Sequence, residues 1–375
     1  MDPFVPAGPS PASSVAPVRF ALVGCGTIAA TQAQALREIP ELACLTHCTD
    51  VDATLARAFA DRFGLSAIPW EEVLRHPEID ALTLCTPSGL HSPLGAAALA
   101  AGKHVLIEKP MDVNVAACDA LLAAQASSGR QLAVISQHRF DPASQAVHRS
   151  IQNNELGRLF AVDARVPWFR SQEYYDSGAW RGTLTLDGGG CLMNQGIHTV
   201  DLMLWLAGPV SEVFARTATA AHERIEVEDL VCATLTFANG ALGTLFASTA
   251  TYPGFPARLA LHGTEGTAIL EGDELHTLAI RGREPITGTA ASAHALQVSG
   301  GGTRSAVHHA DNARAAGEDT RWKWGDAHRA QFADFIAAIR ENRRPAVSGH
   351  DGRAAVALIQ AVYESARTGH PVRPA

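Results

Sequence analysis

A lysine that could act on a bound molecule follows a predicted strand. Lys109 comes after the apolar run 104–107 and Glu108, and it precedes Pro110, which restricts it to extended backbone. In that geometry the ammonium would project over whatever binds at the edge of the sheet. On composition alone, however, a lysine at a strand end is usually a solvated charge.

A histidine lies on a predicted helix that is apolar on nearly every other side. On the helix expected over 191–206, Asn194, His198 and Asp201 fall within a narrow arc at about 100° per residue. Because a helix that is apolar nearly all round is buried, this polar stripe must be satisfied in the core or face a cleft. A cleft would make His198 a candidate base. A core histidine bonded to Asn194 or to the backbone is the equally open alternative.

The segment Gly24-Cys25-Gly26-Thr27-Ile28-Ala29 predicts a dinucleotide site, because it follows a buried strand and opens a helix. The first glycine permits the tight turn, the second lets the backbone approach a pyrophosphate, and the alanine is small enough for close helix–strand packing. The pyrophosphate would lie at the helix N-terminus, where unpaired N–H groups favour an anion. The cofactor contacts expected in this segment are Gly24, Gly26, Thr27 and Ile28.

Asp50 ends the second predicted strand. A carboxylate there can accept hydrogen bonds from ribose hydroxyls and would repel a 2′-phosphate. Since neither Val51 nor Asp52 is basic, the sequence favours NAD over NADP as the cofactor. Asp50 could instead be a loop carboxylate or a helix cap, with Asp52 on the ribose.

Further cofactor contacts are expected at the carboxyl edge of the sheet, where open α/β sheets bind their ligands. Thr86 and Pro87 lie at the end of the strand predicted at 81–86, and Glu108 and Lys109 at the end of the strand predicted at 104–108. His91 is expected to be a surface residue or a contact on the nicotinamide side rather than a catalyst.

The order of predicted elements indicates an α/β chain in two parts. Strands expected at 20–23, 42–48, 81–86, 104–108 and 132–135 alternate with helices at 28–38, 53–63, 92–101 and 115–124, which predicts a parallel, doubly wound Rossmann sheet. After Phe140 we expect a helix at 142–152, a strand at 159–166, an aromatic loop and the helix at 191–206. The aromatic loop runs through Trp168, Tyr174, Tyr175 and Trp180. Strands without intervening helices follow. The Asn239-Gly240 hairpin turn lies among them, and an antiparallel or mixed sheet with helices on one face is expected.

This organisation divides the chain into three ranges. We expect a flexible arm at 1–18, an NAD-binding domain at 19–140, and a substrate-binding and oligomerisation domain at 141–375. The last range contains a long irregular segment, 281–325, and closes with helices near 326–341 and 352–367.

Composition argues against several classes of function. The 375 residues carry 30 Lys+Arg against 38 Asp+Glu, a net charge of −8, so the basic balance of a nucleic-acid-binding protein is lacking. No apolar run approaches the roughly 20 residues that span a bilayer. Seven scattered cysteines without a CxxC pair indicate a reducing, cytoplasmic location, and no metal site is expected.

Three segments together resemble the glucose–fructose oxidoreductase/inositol dehydrogenase (Gfo/Idh/MocA) family: FALVGCGTIA, Glu108-Lys109-Pro110 and GGGCLMNQGIHTVDLMLWLAG. The resemblance runs from about Arg19 to the C-terminal helices. It implies an N-terminal Rossmann domain and a C-terminal domain with a large, mostly antiparallel sheet that is often used for oligomerisation, hence a homo-oligomer (dimer or tetramer). The implied activity is NAD(P)-linked oxidation or reduction of a hydroxyl or ketone on a sugar or cyclitol. The aromatic loop looks most like members that handle nucleotide-sugar uronates.

The resemblance also assigns roles to residues. Lys109 matches the family's lysine near the substrate hydroxyl and His198 its catalytic histidine, whereas Asn194 stands where many members have Asp and cannot stabilise an imidazolium as a carboxylate would. His198 is therefore the expected base and Lys109 the donor to the developing alkoxide, although the two could exchange roles. The other expected substrate contacts are Arg139, Arg165, Tyr175, Arg181 and Asn194. Arginine suits carboxylate or phosphate recognition, but each could equally form a surface ion pair.

Two other functions remain open at this point. The chain could be a non-catalytic NAD(H)-binding regulatory protein, or an NAD-using glycosidase of the same fold. The presence of both Lys109 and His198 favours a dehydrogenase acting on a sugar, sugar acid, nucleotide sugar or cyclitol.

Overall fold

The computed structural model describes residues 16–287 and 325–375, which form two sheets with helices packed around them. The expected N-terminal arm up to residue 15, and positions 288–324 of the expected irregular segment, lie outside the described residues.

The first sheet has six parallel strands in the order β3-β2-β1-β4-β5-β6, as the doubly wound prediction requires. Its strands are β1 (Val18–Val23), β2 (Ala43–Thr49), β3 (Ser66–Ala67), β4 (Ala81–Leu84), β5 (His104–Ile107) and β6 (Leu132–Val134). The central strands are buried almost throughout, which explains why they read as unbroken apolar runs. The strand order reverses between β1 and β4, so their carboxyl ends open the crevice in which such sheets bind ligands.

Five helices connect the strands of this sheet: α1 (Thr27–Arg37), α2 (Ala53–Phe63), α3 (Trp70–Arg75), α4 (His91–Ala100) and α5 (Val115–Ser128). The sequence missed only the short elements β3 and α3, which are too brief to show a period.

The second sheet has eight strands in the order β14-β13-β12-β11-β7-β10-β9-β8. They are β7 (Leu159–Pro167), β8 (Val210–Ala218), β9 (Leu230–Phe237), β10 (Leu242–Ser248), β11 (Arg258–Gly263), β12 (Gly266–Glu271), β13 (Glu274–Ile280) and β14 (Ile286–Thr287). All neighbours are antiparallel except β7 and β10, so the sheet is mixed. Gly240, between β9 and β10, has the positive φ of +84° that its predicted turn needs.

The remaining helices are α6 (Pro142–Gln152), α7 (Gln172–Asp176), α8 (Ile197–Ala207), α9 (Asp326–Glu341) and α10 (Gly349–Thr368). Of these, α6, α8 and α10 pack on one face of the second sheet, as expected. None of the described helices has the length and apolar character needed to cross a membrane.

Helix α9 returns to the first sheet, although residues 326–341 fall in the range that the sequence assigns to the second domain. The rings of Phe332 and Phe335 lie 5.8 and 6.5 Å from the ring of Phe20 on β1. All three side chains are fully buried, so α9 contributes to the core of the nucleotide-binding half.

Candidate active site

The glycine turn after β1 leaves an open cradle at the start of α1. Gly24 has a φ of +89°, and a Cβ there would stand 2.8 Å from the carbonyl oxygen of Cys85. A Cβ on Gly26, by contrast, would meet no atom within 4 Å, and no side chain caps the N–H groups of α1. The exposed start of this helix at Gly26 and Thr27 therefore offers free donors to an anion.

A second feature of the crevice also fits a bound dinucleotide. The hydroxyl oxygen of Thr86, directly after β4, is buried and has no hydrogen-bond partner among the described residues. A buried polar atom of this kind normally has a partner, which a ligand in the crevice would supply. Thr86, Pro87 and the cradle of α1 are therefore the residues that would hold the cofactor.

The structure separates the two acidic candidates for ribose binding. The carboxylate of Asp52 caps α2 by accepting from the backbone N–H groups of Thr54 and Leu55 at 2.8 and 3.2 Å. Asp50 stands half-buried at the end of β2 and accepts from the backbone N–H groups of Cys25 and Asp52 at 2.7 and 2.9 Å. Because each carboxylate oxygen can accept two hydrogen bonds, Asp50 retains acceptors for the ribose.

We expect Asp50→Asn to weaken NADH binding about 10-fold, because a hydrogen bond to a charged acceptor contributes about 1.5–3 kcal/mol. Loss of the charge should also raise the affinity for NADPH. Fluorescence titration with each nucleotide measures both effects. Asp52→Asn is the matched control, since asparagine caps helices equally well. An unchanged preference in Asp50→Asn would remove Asp50 from the ribose site.

Lys109 lies at the mouth of this crevice, directly after β5. Its Nζ donates a hydrogen bond to the backbone oxygen of Asn194 at 2.7 Å, which leaves two N–H groups for a ligand. Burial lowers the pKa of Lys109, while the negative charges of Glu108 and Asp187 oppose that shift. The ammonium is thus held in place by the backbone of Asn194, in the segment before α8.

Glu108 is buried and bound by residues of the chain. Its Oε1 accepts from the side-chain amide of Gln32 at 2.6 Å, and that amide's own oxygen accepts from the hydroxyl of Thr83. The other carboxylate oxygen accepts from the backbone N–H of Lys109 at 3.1 Å, and burial raises the pKa of Glu108. Glu108 therefore anchors the end of β5 to α1.

His91 is wholly buried, so the expectation of a surface position is wrong. Its Nδ1 lies 2.8 Å from the backbone oxygen of Pro110, and its Nε2 lies 2.9 Å from that of Thr86. Burial lowers its pKa to about 4. The imidazole joins the loops that follow β4 and β5, which positions Thr86 and Lys109 relative to each other.

His198, near the start of α8, lines the same small cavity as Lys109. Its ring contacts that of His138 edge-to-face, with centroids 5.2 Å apart. Burial, followed by the charges of Lys109, His138 and His328, lowers the pKa of His198 well below its ordinary value. The imidazole is therefore neutral near pH 7 and able to accept a proton.

The segment before α8 differs from the single helix expected over 191–206. Cys191–Gly196 forms a π-helical turn, whose first N–H groups are bound by the carboxylate of Glu228, at 2.8 Å from Gly190 and 2.9 Å from Leu192. A Cβ on Gly190 would stand 1.7 Å from the backbone oxygen of Glu228. Only glycine therefore allows this approach, and the wider turn moves Asn194 out of helical register with His198.

Asp187 supplies a carboxylate at the place where Asn194 lacks one. The side-chain amide of Asn194 donates to Asp187 Oδ1, and the backbone N–H of Gly182 donates to Oδ2 at 2.8 Å. Asp187 is 2% exposed, and burial raises its pKa while Lys109 and Arg181 lower it. Sequence reasoning missed Asp187 because it lies in a loop without a period.

Two arginines lie beside Lys109 on the aromatic loop. Arg170 donates to the side-chain oxygen of Gln195 at 2.7 Å, and its buried Nε has no partner among the described residues. Arg181 donates to the hydroxyl of Tyr174 at 2.9 Å, and its guanidinium lies 4.5 Å from the rings of both Tyr174 and Trp180. Within the described part of the chain, neither arginine is ion-paired.

Three other expected substrate contacts are bound by other residues of the chain. Arg139 is buried and binds Asp201 with two hydrogen bonds, of 2.7 and 2.6 Å. Arg165 is exposed on the open face of the second sheet, where it pairs with Asp163. The hydroxyl of Tyr175 is bound to that of Thr249 at 2.8 Å, within the core. The structure brings Lys109, Arg181, Asn194 and His198 together, with Asp201 on the same cavity as Lys109 and His198.

Comparison with known proteins agrees with this geometry. Residues 18–136 match the model of the oxidoreductase family with an NAD-binding Rossmann fold, and residues 144–269 match the GFO/IDH/MocA C-terminal domain. The WlbA dehydrogenase from Bordetella pertussis, solved with NADH and UDP-GlcNAcA, is 30% identical with a TM-score of 0.81. The alignment covers 95% of this chain and 98% of that one. The chain belongs to the Gfo/Idh/MocA family.

Curated Gfo/Idh/MocA-like relatives cover nearly the whole chain. Inositol 2-dehydrogenase from Rhizobium meliloti is 27% identical over 355 residues, which are 93% of this chain and 96% of that protein. D-apiose dehydrogenase from Paraburkholderia graminis is 28% identical over 365 residues, which are 94% of this chain and 88% of that protein. As a Gfo/Idh/MocA member, the protein is an NAD-dependent oxidoreductase, as the glycine turn and Lys109 predicted.

Proposed function

We propose that the protein oxidises a hydroxyl of a sugar that carries an anionic group, with NAD as the acceptor. The observation that carries this proposal is the cluster of three cations, Lys109, Arg170 and Arg181, near two buried carboxylates, Glu108 and Asp187. Three cations near two anions leave an excess of positive charge, which a negatively charged substrate would offset. The uronate in the WlbA complex has that chemistry.

The reaction itself is assigned to His198 and Lys109. NAD⁺, held by the glycine turn before α1 and by Thr86, would supply the acceptor for the hydride of the carbinol carbon. The neutral imidazole of His198 takes the hydroxyl proton as the C–H bond breaks, since its lowered pKa keeps it unprotonated. The two unused N–H groups of Lys109 donate to the oxygen as it gains negative charge, in a site that excludes bulk water.

The anionic group is assigned to the two arginines. The Nε of Arg170 is buried and has no partner among the described residues, while another nitrogen of the same guanidinium binds Gln195. The unbound N–H suits one oxygen of a carboxylate or phosphate. Arg181 is held flat between Tyr174 and Trp180, so it is oriented before the substrate arrives. Asn194 is held by Asp187 and remains a candidate for a substrate hydroxyl.

A panel of substrates with NAD⁺, followed by NADH absorbance, tests the proposal. The panel pairs two compounds with the acids that carry one more carboxylate, glucose with glucuronate and UDP-GlcNAc with UDP-GlcNAcA, and adds inositol as an uncharged cyclitol. We expect kcat/KM to be highest for an acid. NADH binding with no turnover of any compound would favour a regulatory protein, and aglycone release without net NADH would favour a glycosidase.

Arg181→Gln separates anion recognition from the chemistry. We expect KM for the acidic substrate to rise about 10- to 100-fold, because a charge-assisted hydrogen bond is lost, with a smaller effect on kcat. Arg224→Gln is the matched control, since Arg224 is exposed and pairs with Asp176. Equal effects of Arg181→Gln on an acid and on its neutral counterpart would contradict the role in anion binding.

We also propose that the chain is a cytoplasmic homo-oligomer, a dimer or a tetramer, associating through the open face of the second sheet. Large apolar side chains are exposed there, among them Phe160, Phe214 and Leu242. All seven cysteines are free thiols, in keeping with a reducing compartment. Sedimentation analysis measures the assembly, and a monomer at micromolar concentration would contradict it.

A further inference from the structure

His138 lies beside His198, in the short 3₁₀ turn Gln137–Phe140 that follows β6. One of its nitrogens, Nδ1, lies 2.7 Å from a carboxylate oxygen of Asp141 and 3.2 Å from one of Asp273. A single ring nitrogen that faces two carboxylates must carry a proton, and two negative charges favour the doubly protonated ring.

The two carboxylates come from different parts of the fold. Asp141 stands before α6 but does not cap it through its side chain, and it is 6% exposed. Asp273 stands in the tight turn between β12 and β13, where its φ is +70°. Although these two carboxylates and His138 are close enough to hold a metal ion, the hydrogen-bond distances to one nitrogen identify an ion pair.

We propose that His138, held as an imidazolium by Asp141 and Asp273, is a positioning residue that adds to burial and to Lys109 in keeping the neighbouring imidazole of His198 neutral. The rings meet edge-to-face at 88° with centroids 5.2 Å apart, close enough for strong repulsion between two cations in a buried site. The inference rests on the proposed role of His198 as the base.

His138 shares this role with Lys109, and the remaining groups around the pair do not contribute a positive charge. Facing His198 are Lys109 after β5 and His328 of α9, and burial lowers the pKa of His328 to about 4, so it is neutral. On α8 itself, Asp201 is bound by Arg139.

The surroundings of His138 favour its charged form. Burial alone would lower the pKa of His138, but the charges of Asp273, Asp141 and Asp201 raise it to about 9. The side-chain amide of Gln137 lies 3.3 Å from the other ring nitrogen, Nε2. The neighbouring His198 and His328 have lowered pKa values and are uncharged at neutral pH. At neutral pH the imidazolium of His138 is therefore the charge that lies in ring contact with His198.

NMR titration of protein carrying ¹³C-labelled histidine tests this without any substrate. In the wild type, we expect His138 to titrate near pH 9 and His198 to titrate well below 6.5. In His138→Gln, the midpoint of His198 should rise by about 1–2 pH units, because the cationic neighbour is gone. An unmoved midpoint of His198, or a His138 that titrates near 6.5, overturns the proposal.

Three further variants keep the test decisive if His138→Gln does not fold. Asp273→Asn changes an exposed turn residue and should lower the titration midpoint of His138 by about one pH unit. His138→Lys keeps the positive charge and should keep the midpoint of His198 low. His148→Gln, which removes a histidine stacked on Trp205, should leave His198 unchanged.

The pH profile of kcat/KM links the cluster to catalysis. His198 must be neutral to accept the proton, so the acid limb of the wild-type profile lies below pH 6.5. In His138→Gln, this limb should move to higher pH by the shift seen in the NMR titration. A merely structural role would lower activity at every pH alike. If the midpoint of His198 moves but the limb does not, His198 is not the base, and the proposed function fails separately from the effect of His138.

Discussion

Replacing Lys109 with methionine is expected to lower kcat/KM about 10²–10³-fold, the usual loss when one donor to a developing oxyanion is removed. Methionine keeps the length and the apolar stem of lysine but has no N–H group. The three donors of the ammonium serve two purposes here. One holds the backbone oxygen of Asn194, and the others face the cavity that His198 also lines.

Steady-state kinetics and NADH binding together measure this effect. We expect most of the loss in kcat, because the hydrogen bond strengthens as negative charge develops on the oxygen. NADH affinity should be unchanged, since the diphosphate cradle lies at the other end of the crevice, at Gly24 and Gly26. A variant that loses NADH binding as strongly as turnover would show that Lys109 shapes the nucleotide site and does not act on the substrate.

Replacing His198 with glutamine is expected to lower kcat about 10²–10⁴-fold, the range found when a positioned general base is removed. Glutamine retains hydrogen-bonding groups of similar reach but cannot accept the proton. The acid limb of the pH profile should disappear at the same time, because the group that titrates there is gone. Both effects follow from an imidazole that burial keeps neutral.

A matched substitution separates this effect from damage to the fold. His262 lies on β11, where its Nδ1 contacts the hydroxyl of Thr267, so His262→Gln should retain full activity. If His198→Gln loses less than about 10-fold in kcat, the proton is taken by another group, and Lys109 becomes the candidate under the exchanged roles.

The nucleotide half of the site could be predicted from sequence because its signals are local. Buried parallel strands read as continuous apolar runs, and the glycine turn follows the first of them directly. The cradle at Gly26 needs nothing from distant residues. Only the structure shows that Asp52 is occupied as a helix cap, which favours Asp50 over Asp52 as the ribose acceptor.

The direction of side chains at strand ends could not be predicted. Glu108 and Lys109 are adjacent, yet one turns onto α1 and the other into the cleft. His91 faces inward because two carbonyl oxygens from different loops converge on its ring, 19 and 5 residues away in the chain. Such partners leave no periodic signal in the sequence.

The arginines illustrate the same limit. Arg139 was a reasonable candidate for an anion, but its partner Asp201 lies 62 residues further along. Arg170 was overlooked, although its position in the aromatic loop resembles that of Arg181. What distinguishes Arg139 from Arg170 and Arg181 is whether a carboxylate reaches the guanidinium in the fold. For Arg170 and Arg181, that depends on how β7, α7 and the π-helical turn pack together.

The position of α9 limits how the domains of this enzyme can be exchanged with those of its relatives. Phe332 and Phe335 complete the packing around Phe20, so the first 140 residues do not make a self-sufficient module. A chimera that joins this nucleotide-binding half to the remainder of a relative would bring a foreign helix against β1. Exchange of domains between relatives should therefore succeed only when residues 326–341 travel with the N-terminal half.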